Sequence, residues 1–249
     1  SGLAQSQPPV TPTAAPGLIR WHDGSLTAPQ WERAVATAVE QIRAGRLQKV
    51  VLARDLYASA AGAIDERLLL DRLAARYPDC YTFACAGLVG ATPELLIKRQ
   101  GAQISSLVLA GTAPRGDDPA RDEALGTTLL SSAKDTEEHG YAAAGVRQSL
   151  APLCAQLTVA PRPALLRLAN VQHLATAISG RLAVRDDGTT PSVLALADAL
   201  HPTAAVCGTP AETAMEMIRE LEGMDRGRYA GPVGWVDSAG NGEWCIALR

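Results

Sequence analysis

Apolar positions recur along this chain with two different periods, and the changeover points outline its elements. In "TAPQWERAVATAVEQIRAG", Trp31, Val35, Val39 and Ile42 fall on one helical face, with Thr27 placed as N-cap and Gly45 as a C-terminal stop. The run that follows, "KVVLARDLYA" from Lys49, is short, aliphatic and β-branched, which favours a strand. A second helix is predicted from about Asp65 to Arg76. Between Cys80 and Gly111 short apolar runs are separated by Gly and Pro, which reads as strands. Residues 119–160 read as helical, about 164–184 as a second β region, and 191–200 and 210–222 as helices, with Pro210 just inside the start of the last. "RYAGPVGWVDSAGNGEWCIALR" closes the chain as two strands around a Gly/Asn turn, a hairpin. Strands arrive in blocks rather than in βαβ alternation, so the expected class is α+β, with large antiparallel sheets and helices packed outside. Residues 1–17, rich in Pro and small side chains, are expected to be a disordered tail or linker, and residues 18–249 a single domain.

Composition narrows the partners. The 249 residues are 47% hydrophobic and 20% charged, as in a soluble globular protein, and suffice for a substantial core. A net charge of −3 without a basic stripe argues against nucleic acid or an anionic membrane as partner, and 4% aromatics argues against a base-stacking platform. No apolar stretch is long enough to span a membrane and no leader opens the chain, so the cytoplasm is the expected location. Five scattered cysteines, never spaced as CxxC, read as reduced thiols rather than a disulfide framework or zinc site.

No phosphate-cradling loop, HExxH or GxSxG occurs in the chain. The candidate chemistry lies in polar residues with apolar or glycine-bounded neighbours. Lys49 heads an apolar strand, where an ammonium either snorkels to water or is desolvated towards a neutral base. Glu94, in "VGATPELLIKR", opens an apolar run; it is either a proton donor kept protonated by its surroundings or a strand-edge salt bridge. Asp135 and Glu138, three apart on a helix, either present two oxygen ligands to magnesium or form a solvated acidic first turn. His173 sits in a strand pattern, where a satisfied core histidine is the commoner case. "LAGTAPRG" (109–116) and "AVCGTP" (205–210) are glycine turns able to offer N–H groups to an anion, or plain turns.

Taken in order, "KVVLAR", "GATPELLIKR", "LAGTAPRG", "SAKDTEEH", "NVQHLATAISG", "LHPTAAVCGTP" and "YAGPVGWVDSAGNGEWCIALR" resemble the chorismate-utilising enzymes, and among them most closely the isochorismate synthases. The resemblance spans about residues 49–249 and implies the family's fold and a magnesium-dependent, reversible isomerisation of chorismate. Water adds at C2 of the ring while the C4 hydroxyl leaves and the double bonds shift. It implies Lys49 as general base, Glu94 as general acid, and Mg2+ held by Glu138 with Asp135 beside it. His173, Gly111, Ala205 and Gly208 would line the substrate pocket, and Tyr229 and Arg249 would hold the pyruvyl carboxylate. Lys49 and Ala205 favour isochorismate over anthranilate as product; salicylate synthases share the lysine, so against them the case rests on "CGTP" and "GNGEW". The resemblance also implies segments outside this sequence: earlier strands, and a later segment carrying a second glutamate ligand and a lysine near the substrate. A fragment that is inactive or completed by a partner is therefore a further reading. The expected setting is a siderophore or menaquinone pathway, and the expected state is a monomer or weak homodimer.

Overall fold

The aliphatic runs between Leu95 and Leu182, together with the C-terminal hairpin, build a seven-stranded antiparallel sheet in a computed structural model that describes residues 15–248. Arg249 and all but the last three residues of the expected tail lie outside the described residues. The path through the sheet is β12 (Pro232–Val236), β13 (Gly242–Ile246), β6 (Leu95–Gln100), β7 (Gln103–Pro114), β10 (Val171–Leu182) and β8 (Cys154–Val159). A short β9 (Ala164–Arg167) pairs the first half of β10, and β8 pairs its second half. Three two-stranded sheets complete the strands: β1 (Ile19–Asp23) with β3 (Leu56–Ala60), β4 (Tyr81–Cys85) with β5 (Leu88–Thr92), and β2 (Lys49–Val50) with β11 (Gly208–Thr209). Every pairing is antiparallel, as the blockwise strand order predicts. The closing turn is fixed by Asp237, whose carboxylate accepts the N–H groups of Ala239 (2.9 Å) and Asn241 (2.8 Å).

Helices cover the sheet. Residues Ile97, Ile104, Val108, Ile178 and Leu182 of the strands pack against Ala142, Val146 and Leu150 of α4 (Ala133–Leu150) and Leu196 and Leu200 of α5 (Val193–Leu200). A smaller core lies between α1 (Ala28–Arg43) and α6 (Ala211–Glu222), where Ala38, Leu47, Cys207, Ala214, Met217 and Ile218 meet. This second core carries the β2–β11 pair on its edge, and therefore fixes where Lys49 stands. Among the described residues no helix is long and apolar enough to cross a membrane.

Helix ends follow their capping chemistry. The Gln30 side chain accepts the Thr27 N–H at 2.9 Å, Asp65 accepts the N–H of Arg67 at the start of α2 (Glu66–Arg76), and Asp118 accepts two N–H groups ahead of α3 (Pro119–Ser131). Three expectations need correcting. Residues 154–159 form β8 rather than helix: Pro152 ends α4 in a 3-10 turn (Ala151–Leu153), and the alternating tail of the segment pairs with β10. The inward face of α1 is Ala34 and Ala38, while Val35 and Val39 are exposed, because small side chains let α1 approach α6 closely. Pro210 is the N-cap of α6 rather than its first helical residue.

Candidate active site

Lys49 begins a strand of only two residues. Lys49 pairs Thr209 and Val50 pairs Gly208, and the ladder is extended by Gln48 N–H to Thr209 O and Val51 N–H to Cys207 O, both 2.8 Å. The Lys49 side chain is 11% exposed, and its Nζ lies 3.0 Å from Oε1 of Glu138 on α4. It therefore neither snorkels to open water nor stands alone in an apolar strand; it is one half of an ion pair. Both residues face a cavity of about 750 Å³, lined also by Val50, Leu52, Lys134, Glu137 and Tyr141. That volume suits a small-molecule ligand.

Glu94 occupies the turn between β5 and β6. Its N–H donates to the Thr92 hydroxyl at 3.2 Å, its carbonyl accepts the Ile246 N–H at 3.1 Å, and the residue is buried. With Ser106, Thr203 and Ala205 it lines a second cavity of about 10 Å³, the size of one water molecule. The Thr203 hydroxyl, buried there, has no hydrogen-bond partner among the described residues. Helix α4 contributes to both: Glu137, Glu138 and Tyr141 line the large cavity, and Ala142 and Val146, following Glu138 at intervals of four on the same face, line the small one.

The β7–β10 ladder is irregular at the site. His173 pairs Thr112 and Leu174 pairs Ala110, so Gly111 bulges out with φ +77°. His173 is fully buried, with Nδ1 2.9 Å from the Thr112 hydroxyl. A Cβ on Gly111 would meet the Asp135 Cβ at 3.3 Å, which brings these two expected site residues together. Sequence reasoning passed over His139, although it stands directly after Glu138. Its Nδ1 is 3.1 Å from Ala110 O and must donate, since a carbonyl only accepts; Nε2, 2.6 Å from the Thr176 hydroxyl, then accepts. Burial holds the imidazole pKa below its ordinary value, and the neutral ring pins α4 to β7 and β10 beside Gly111.

The remaining expected residues are dispersed. Ala205 shares the small cavity with Glu94, and Gly208 backs directly onto Lys49. Tyr229 sits in the turn after α6, its N–H donating to Arg226 O at 2.8 Å, and lines neither cavity. The residues expected to hold magnesium fit only in part. Glu138 is 36% exposed on the cavity wall and already paired with Lys49; Asp135 accepts from the Ser132 hydroxyl at the start of α4. Among the described residues no group of three or more His, Cys, Asp or Glu is arranged to hold a metal. One or two carboxylates and a retained water shell are nonetheless the usual holding for magnesium.

The profile of the family described as "Chorismate binding enzyme" matches residues 4–249. The chain belongs to that family. Among chorismate-binding enzymes it is 44% identical, over 224 residues and 88% of its length, to the salicylate biosynthesis isochorismate synthase of Pseudomonas aeruginosa, of which it covers 46%. It is 41% identical over 232 residues to isochorismate synthase DhbC of Bacillus subtilis, covering 88% of this chain and 57% of that protein. The solved structure of MenF, the menaquinone-specific isochorismate synthase from Escherichia coli, superposes with a TM-score of 0.81 at 29% identity, over 96% of this chain and 56% of that one. The chain thus spans about half the length of the relatives it matches, and has their α+β fold.

Proposed function

We propose that the intact protein containing this chain is an isochorismate synthase, converting chorismate to isochorismate reversibly. The observation that carries the reading is the Lys49–Glu138 pair at 3.0 Å on the wall of the large cavity, with the Gly208 strand behind it. In this reading chorismate binds beside Lys49, which takes a proton from a water molecule at ring C2. For that step Lys49 first releases its ammonium proton to solvent and gives up its contact with Glu138, since only the neutral amine has a lone pair to take the water's proton. Glu94, buried and close to Ala205, hands a proton to the hydroxyl leaving from C4. His173 and Gly111 shape the pocket from the β7–β10 bulge, and Tyr229, with Arg249, serves the pyruvyl carboxylate. Mg2+ would be held by Glu138 and Asp135 with water and the substrate's ring carboxylate, and would supply positive charge to that carboxylate. The cytoplasmic location and the monomer or weak homodimer belong to the same proposal.

The test is product identification. The intact protein is incubated with chorismate and Mg2+, and the products are separated and identified. Isochorismate is the expected product. Salicylate with pyruvate would replace this reading by the pyruvate-eliminating one, and an absence of turnover would overturn it.

A further inference from the structure

The β2–β11 ladder stops at Val51, yet the carbonyls of Val51 and Val206 continue inward from it and need donors. One guanidinium serves both. Arg226 donates through Nη2 to Val51 O at 2.7 Å and through Nη1 to Val206 O at 2.9 Å. Its Nε donates to Glu222 Oε2 at 2.8 Å, and Nη2 also reaches Glu222 Oε1. Glu222, at the end of α6 and 2% exposed, accepts the Ala53 N–H at 2.6 Å through the same Oε1. Two side chains therefore hold three backbone points on two segments far apart in sequence. The Arg226 carbonyl in turn accepts the Tyr229 N–H at 2.8 Å.

A buried ion pair is weak evidence for a stability device, since an apolar pair of similar volume often does as well. This pair does what an apolar pair cannot: its forked donors meet two carbonyls at a fixed separation. Val51 lies two residues from Lys49, and Val206 lies between Ala205 and Gly208. We infer that Glu222 and Arg226 are positioning residues that set the spacing between the Lys49 strand and the Ala205–Gly208 loop. The inference rests on the reading of those segments as the catalytic base and the substrate loop. A lysine at 226 keeps the charge but cannot span both carbonyls, and a glutamine at 222 keeps an acceptor for Ala53 but loses the charge.

The test uses Arg226→Lys and Glu222→Gln in the intact protein, with two readouts. In chorismate turnover, kcat is expected to fall roughly 100-fold with KM little changed, because a displacement of about 1 Å at the reacting groups costs that much. In hydrogen exchange without substrate, the amides of Val51, Ala53 and Cys207 are expected to lose protection together, while those of β6, β7 and β10 keep theirs. Wild-type kcat and unchanged exchange in both segments would overturn the inference. So would a uniform loss of protection across the main sheet, which is the mark of general destabilisation. If the wild-type protein makes no isochorismate, the functional reading fails by itself, and the exchange measurement still decides whether the pair links the two segments. Should Glu222→Gln fail to fold, Arg226→Lys carries both readouts.

Discussion

Gly208 approaches the Lys49 carbonyl so closely that a Cβ on it would lie 2.2 Å from that oxygen and 2.7 Å from the Ala214 Cβ. Its φ of +151° is a second reason for glycine here. Gly208→Ala must therefore push β2 away from β11 and shift Lys49 with it. The expected outcome is a fall in kcat of about 100-fold with a lower melting temperature. Gly145, exposed on α4 with nothing within 4 Å of a Cβ, is the control. Gly145→Ala should add about 0.5–1 kcal/mol, read as a small rise in melting temperature with unchanged turnover.

Removing the amine separates chemistry from binding. Lys49→Gln is expected to lower chorismate isomerisation by about 10²- to 10⁴-fold, with chorismate affinity by calorimetry close to wild type. Near-normal turnover would leave Lys49 as no more than the partner of Glu138. Glu94→Gln should lower kcat far more than it raises KM; a folded variant with lower thermal stability and full activity would make Glu94 structural instead.

Metal binding should be weak when few carboxylates share it. Magnesium titrated calorimetrically into the intact protein is expected to bind more tightly with chorismate present, and chorismate more tightly with magnesium by the same factor. Glu138→Gln should abolish the coupling. If the coupling survives that substitution, Glu138 is not a ligand.

Acid should loosen the loop ahead of α3. Hydrogen bonds from Arg115, at 2.7 and 2.8 Å, and from the Gly116 N–H hold the Asp122 carboxyl at a pKa of about 2, below its ordinary 3.8. A depressed folded-state pKa means that the stabilisation is fully present above the unfolded value. It is lost as pH falls from about 3.8 towards 2. Acid titration of Asp122→Asn should show lower stability than wild type at neutral pH and a difference that shrinks across that window. A constant difference down to pH 2 would mean that the pair does not titrate with folding.

Thiol reactivity should follow depth. Cys85 is exposed and in no disulfide, and burial pushes the Cys245 thiol up to about 12. Iodoacetamide on the native protein is expected to label Cys85 first and leave Cys245 unmodified until denaturant is added. Early labelling of Cys245 would mean that the β13 edge opens readily.

Local signals were legible in the sequence, and distant ones were not. The Thr27 cap, the limits of α1 and α2 and the final hairpin each follow from a few adjacent residues. The β8 strand was hidden because 154–159 follows a long helix with no glycine between, leaving Pro152 as the main break. "KVVLA" looked like a buried strand, but only Lys49 and Val50 find a ladder partner in β11. Beyond Val51 the backbone is met by Arg226 and Glu222, about 170 positions later. Their spacing of four looks like any surface helix pair. Lys49, Glu138, Glu94 and Ala205 could be named from their motifs, yet nothing in those motifs says that Glu138 of α4 pairs with Lys49 while Ala142, one turn on, lines the cavity of Glu94 and Ala205.

The bulge at Gly111 divides the β7–β10 ladder into two arms whose inside–outside alternation is set separately. In the long arm Thr176, Ile178 and Leu182 of β10 face inward, while Ala177, Ser179 and Arg181 face out. In the short arm His173 stands opposite Thr112 in its own phase. A sheet without such a joint could not change which side of a strand faces its neighbours at one end without also turning its core residues outward. With the joint, the Gly111 end of the ladder can vary in shape while the core end keeps its register, so one end of a continuous sheet is free to change without unpacking the other.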